Sequence, residues 1–316
     1  MSPQKTLFIT TGDPNGIGCE VAVKSLLKKK KIDAKVVLIR HPTSEKKWLR
    51  LYRQKTKAIL LTSFEEARFS TAPFIDLCLK SNPAVWVKSA AQICHANPKM
   101  NYLLTGPLSK GLIKKSGIKA IGHTEILKNV SQSNSAFMYF RGSKFNVALS
   151  TAHIPIEAVT AKFSADRVIQ LSELITALNV KLGDKRPIAV LGLNPHNGDK
   201  GIISKFDDMK ISPLIKKLTK KKLAVVGPLV PDSAFTKSNQ TIYSCFVCHY
   251  HDQGLIPFKM THEFDEGVHL TLGISFFRAS VDHGPAFDIF GKSKANIGSF
   301  LSALDFTLEY MKRNEG

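Results

Sequence analysis

Three times in this chain an apolar run of strand length ends at a histidine in a turn that contains proline or glycine, and this recurrence constrains the fold more than any other feature. KFNVALST leads to His153 in TAHIP, PIAVLGLN leads to His196 in NPHNGDKG, and TIYSCFVCHYHDQG carries His251. Short apolar runs alternating with helical stretches build a parallel or mixed sheet wrapped by helices. Ligands collect at the carboxyl ends of such strands, so three imidazoles at equivalent ends point to metal ligation. Neutral histidines suit zinc or another borderline divalent ion, with positions left open for substrate oxygens.

The stretch Cys248 to Gly291 holds five of the ten histidines (His249, His251, His262, His269 and His283) in 44 positions, beside Asp252, Lys259, Arg278, Asp282 and Asp288. Carboxylates there can order an imidazole or a metal, and cations can hold an anion. Asp252 beside His251, and Asp232 in GPLVPDSAF, fit roles in orienting a ligand or the substrate.

Along the chain, TLFIT (Thr6 to Thr10) is a strand that enters the turn TGDPNGIG and a helix from about Cys19 to Lys30. That layout points backbone N–H groups at an anion, yet neither GxGxxG nor GxxxxGK[ST] is present, so a tight structural turn explains it equally well. Strands follow at Lys35 to Ile39, Ala58 to Leu61 and NYLLTG, with helices around Ser44 to Gln54 and Ala84 to Ala96. His123 and Thr124 open a further helix in GHTE. Their donors suit an anionic or hydroxylated ligand, and a plain capping box with Thr124 as N-cap suits the same letters.

Composition narrows the class. No apolar run approaches the roughly 20 residues of a membrane span, and MSPQKTLFITTG reads as a strand entry rather than a signal peptide, so cytoplasmic residence is expected. Five scattered cysteines suit reduced thiols. Cys245 and Cys248 form a CxxC with no second pair, which favours buried structural thiols over a redox or zinc role. The balance of 45 basic and 25 acidic residues, a net +20, raises the question of nucleic acid. The excess sits in lysine clusters such as Lys28 to Lys31 at helix ends, without interleaved aromatics, so neither a nucleic-acid nor a membrane partner is expected.

TTGDPNGIGCE, GHTE, TAHIP, GLNPHNG, GPLVPDSAF, YHDQGLIPFK and GISFFRASVDHGPAFDI occur in order over nearly the whole chain. In that order they resemble the 4-hydroxythreonine-4-phosphate dehydrogenase family. The resemblance implies an α/β fold of the isopropylmalate-dehydrogenase type, with two lobes and the active site in the cleft. The lobes would be residues 1–125 with 255–316 on the cofactor side, and 126–254 for metal and dimerisation. It implies NAD-linked oxidation of 4-phosphooxy-L-threonine to a β-keto acid that decarboxylates to 3-amino-2-oxopropyl phosphate, in a homodimer with one divalent ion (Zn, alternatively Mg or Co) per subunit.

Carried over by position, the metal ligands would be His153, His196 and His251. His123, Thr124, Lys259, His269 and Arg278 would bind substrate, and Lys259, Asp232 and Asp252 would serve catalysis. VDHGPAFDIFGKSKAN is similar to the cofactor segment of isopropylmalate and isocitrate dehydrogenases. It implies His283, Gly284 and Asn296 around the adenosine and Asp288 on the ribose hydroxyls, a carboxylate that disfavours the 2′-phosphate of NADP.

His269 stands where the family has asparagine, and MTHEFDE is one residue longer than usual, so a different four-carbon phosphorylated hydroxy acid is the alternative substrate. A three-histidine zinc aldolase is the rival chemistry, which DHGPAFDIFG argues against because an aldolase has no use for an adenosine pocket.

Overall fold

The protein is described by a computed structural model over residues 4–262 and 266–314. Glu263 to Asp265, inside the lengthened MTHEFDE segment, lie outside the described residues. The strands in chain order are β1 (Thr6–Thr10), β2 (Lys35–Arg40), β3 (Ile59–Leu61), β4 (Phe74–Cys78), β5 (Asn101–Thr105), β6 (Phe137–Arg141), β7 (Asn146–Leu149), β8 (Ile188–Leu191), β9 (Val225–Leu229), β10 (Cys245–Cys248), β11 (Val268–Leu272) and β12 (Arg278–Val281).

The chain forms two compact units, Met1–Ala136 with Phe264–Gly316, and Phe137–Glu263. The sequence placed the divisions about ten residues earlier in both cases. The helix His123–Ser131 belongs to the first unit because Ile126 and Leu127 complete a core around Trp86, Phe8 and Leu103. The helix His251–His262 stays with the second because Leu255 and Phe258 pack onto Phe145 and Phe246. Each large side chain buried in this way contributes about 1.5–3 kcal/mol, which outweighs any local signal for a boundary.

In the first unit the strand order is β3-β4-β2-β1-β5-β12-β11, parallel except for β11 against β12. β4 was not read from the sequence, since Asp76 interrupts its apolar run FIDLC. The interruption is structural: the buried Asp76 carboxylate accepts from Arg40 Nε (2.7 Å) and Nη2 (3.0 Å) on the neighbouring strand. A buried carboxylate is tolerated where a two-pronged guanidinium meets it.

In the second unit the order is β6-β7-β10-β8-β9, with β7, β10, β8 and β9 parallel and β6 antiparallel on the edge. TIY of the third run is not strand: Thr241 and Ile242 end the helix Lys237–Ile242. Cys245 and Cys248, three apart on β10, are both fully buried, and burial raises both thiol pKa values. A thiol held neutral is a poor nucleophile and a poor metal ligand.

Candidate active site

The sheet order sets the first cluster. His153 follows β7, His251 follows β10, His196 follows β8 and Asp232 follows β9, so all four stand in that order along one edge of the second unit. The His153 and His251 rings lie 5.4 Å apart between centroids. His251 Nδ1 donates to Asp252 Oδ1 at 2.7 Å, which fixes the tautomer and turns the Nε2 lone pair outward as a ligand would require. Asp232 is exposed, and Lys259 is exposed about two turns further along the helix that His251 begins.

His196 arrives differently. His196, Asn197, Asp199 and Lys200 all have φ between 46° and 55°. Left-handed backbone costs a non-glycine residue about 1–2 kcal/mol, so neighbours must impose it. Asp207 does so from a fully buried carboxylate that accepts from Leu193 N (2.6 Å) and Asn194 Nδ2 (2.6 Å), and Asn197 Nδ2 donates to Pro228 O (2.9 Å). Among the described residues no three histidine, cysteine, aspartate or glutamate side chains are gathered closely enough to hold one ion. The structure therefore brings His153 and His251 together and sets His196 on the same edge, outside that pair.

The second cluster lies in the first unit. Arg278 opens β12 and is only 2% exposed. Its Nε and Nη2 donate to Thr105 Oγ1 (3.1 and 2.6 Å), and Nη1 donates to Thr271 Oγ1 (3.0 Å) and His269 Nδ1 (3.3 Å). A guanidinium only donates, so His269 accepts at Nδ1 and its ring carries its proton on Nε2. Every hydrogen-bond partner of this cation among the described residues is neutral, and burial lowers its pKa to about 9. One of its five N–H groups has no partner among the described residues.

His123 feels the same cation. Burial, with the Arg278 charge added, pushes its pKa down to about 3, and its buried Nε2 has no partner among the described residues. The helix it starts is not capped by Thr124. Gly122 is the N-cap and Glu125 Oε2 accepts from Ile121 N at 2.5 Å, so Thr124 is a half-buried residue of the first turn.

The segment after β12 runs alongside the glycine-rich turn. Ile17 N donates to Pro285 O (3.0 Å) and Asp13 N to Pro107 O (2.9 Å). A Cβ on Gly12 (φ 78°) would meet Pro107 O at 2.0 Å, and one on Gly16 would meet Pro285 O at 2.8 Å. The turn is thus spent on close packing, and the N–H groups of Asp13, Asn15, Gly16 and Ile17 are committed to the protein. His283 Nδ1 donates to Gly284 O (2.9 Å), which leaves its buried Nε2 lone pair without a partner among the described residues. Asp288 is exposed in the short helix Phe287–Ile289, and Asn296 Oδ1 accepts from Gly298 N (2.8 Å) where the last helix starts.

Not every histidine of the dense stretch serves a site. His262 Nδ1 donates to Phe258 O (2.9 Å) and Nε2 accepts from Lys144 N (3.1 Å), so it buttresses the β6–β7 hairpin. Thr105, Thr271, Gln253 and Asp207 were missed by the sequence reading. The available signal was a polar residue closing or interrupting an apolar strand, as in NYLLT and VHLTL.

Comparison with known proteins identifies the family. The profile of the family described as pyridoxal phosphate biosynthetic protein PdxA matches residues 81–307. A 4-hydroxythreonine-4-phosphate dehydrogenase of Aquifex aeolicus is 35% identical over 95% of this chain and 96% of its own. A Fusobacterium nucleatum protein provisionally named D-threonate 4-phosphate dehydrogenase is 30% identical over 96% of both. The crystal structure of a 4-hydroxythreonine-4-phosphate dehydrogenase from Burkholderia phymatum superimposes with a TM-score of 0.75 at 30% identity, covering 98% of this chain and 99% of the other. With a match over more than two thirds of its length and relatives spanning nearly all of it, this chain belongs to the PdxA family of dehydrogenases.

Proposed function

We propose that the protein oxidises the secondary alcohol of 4-phosphooxy-L-threonine with NAD, in the presence of a divalent ion, to 2-amino-3-oxo-4-phosphooxybutanoate, which loses carbon dioxide to give 3-amino-2-oxopropyl phosphate. The observation that carries this reading is Arg278: a buried guanidinium whose partners among the described residues are all neutral is stable in a fold when an anion completes it. A phosphate offers the charge and the paired oxygens that the remaining N–H group and neutral His123 can meet.

His153 and His251 are suited to the ion by their proximity and by the Asp252 contact, and His196 would join them as third ligand. When bound, zinc, magnesium or cobalt supplies Lewis acidity at the alcohol oxygen, and NAD accepts the hydride. Thr124 and His269 add donors for substrate oxygens, Lys259 supplies a mobile cation, and Asp232 with Asp252 orients the groups around the histidine row. His283, with its unpartnered Nε2, suits an adenine amino group. Gly284, Asp288 and Asn296 complete the dinucleotide site, where the exposed Asp288 carboxylate favours NAD.

The exposed Ile202, Ile203 and Met209 favour a homodimer through the second unit. No helix among the described residues is long and apolar enough to cross a membrane, in keeping with the proposed cytoplasmic location.

A second reading keeps the chemistry and changes the acid. His269 in place of asparagine, together with the D-threonate relative, favours a phosphorylated hydroxy acid without the amino group. Reduction of NAD should be followed with each candidate acid and a divalent ion, in the wild type and in His269→Asn. Preference for 4-phosphooxy-L-threonine, kept or raised in the variant, is expected. No NAD reduction with any phosphorylated acid would refute the oxidoreductase reading.

A further inference from the structure

Among the histidines of the dense stretch, His249 is only 1% exposed. It lies two residues before His251 and is directed inward. Its Nε2 donates to Leu191 O at the end of β8 (2.7 Å), and its carbonyl accepts from Thr151 Oγ1 beyond the end of β7 (2.5 Å). Gln253 runs beside it: Oε1 accepts from His249 N (2.7 Å) and Nε2 donates to Gly192 O (2.8 Å). Four hydrogen bonds from two buried side chains and one carbonyl thus tie β7, β10 and β8 at the edge where His153, His251 and His196 emerge.

We propose that Gln253 and His249 are positioning residues for the ion site, setting the spacing of the three loops that carry the histidines. The inference rests on the reading of those histidines as ion ligands. The Gln253 amide faces one loop with its acceptor and another with its donor, so neither a carboxylate nor an apolar group of the same size can serve both. Groups that act through ligands in this way typically change metal affinity 10–100-fold when removed.

The test uses the full chain, metal-free, titrated with Co²⁺ against a chromophoric chelator and followed also by its d–d absorption. Gln253→Leu is expected to weaken Co²⁺ binding by about 10–100-fold and to alter the spectrum. Asn179→Leu is the control for stability alone. It removes a buried amide of the same unit that donates to Ser244 Oγ (2.8 Å) at the opposite end of β10, and it should bind Co²⁺ like the wild type. Equal affinities for the Gln253 and Asn179 variants would overturn the proposal. If Gln253→Leu does not fold, Gln253→Asn substitutes for it, with an intermediate loss expected and unchanged affinity again overturning the idea. Wild type indistinguishable from His251→Ala would show instead that the histidines bind no ion, and the proposal would fall with that reading.

Discussion

Replacing Arg278 by methionine should make the ligand-free protein more stable while removing its affinity for phosphate. Burial lowers the guanidinium pKa from its ordinary value to about 9, and at about 1.36 kcal/mol per pKa unit the charged form costs on the order of 5 kcal/mol in the absence of an anion. Because the folded value lies below the unfolded one, that cost is fully present below about pH 9 and is relieved as the pH rises from there toward the ordinary arginine value.

Methionine fills similar space but abandons the acceptors of Thr105, Thr271 and His269, which offsets roughly 1–3 kcal/mol. The net gain is then about 2–4 kcal/mol, and near 2–4 °C per kcal/mol the apparent Tm should rise by roughly 5–15 °C. Inorganic phosphate supplies the second arm of the assay. At about 100 times its Kd it should stabilise the wild type by roughly 2.7 kcal/mol and leave the methionine variant unmoved. A variant that melts below the ligand-free wild type, or that phosphate protects equally, would refute the idea of a cation held for an anion.

Three further outcomes follow from the geometry. Asp252→Asn should weaken divalent-ion binding about 10-fold or more, because the amide no longer fixes the His251 tautomer; equilibrium dialysis checks it. Asp288→Ser should raise the use of NADP relative to NAD in paired kcat/KM measurements, and Asp288→Lys should raise it further. His123, held neutral in the fold, lowers stability as the pH falls from its ordinary value of 6.5 toward about 3, since the unfolded chain takes up the proton first. His123→Gln should flatten the denaturant midpoint across that window.

Much of this protein can be read without coordinates. β1 was located residue for residue from TLFIT, since a short apolar run bounded by a glycine turn has few alternatives. The three histidines were placed at strand ends by the apolar runs and Pro- or Gly-containing turns around them, and their membership of one edge followed from the parallel βα pattern. Local chemistry also disclosed the buried thiols of Cys245 and Cys248.

Tertiary structure decided the rest, for reasons of distance. The order β7-β10-β8-β9 depends on which apolar faces pair, a long-range outcome that no window of sequence contains. Thr124 looks like a cap, yet Gly122 holds that position because the helix begins two residues earlier than a Thr124 cap requires. His249, His262 and His251 are indistinguishable as letters in CHYHDQGLIPFKMTH. Only the fold aims the first at Leu191, the second at the β6–β7 hairpin and the third at His153. The setting of Arg278 among Thr105, Thr271 and His269, with no carboxylate partner among the described residues, carries the functional reading and is a property of three strands brought side by side.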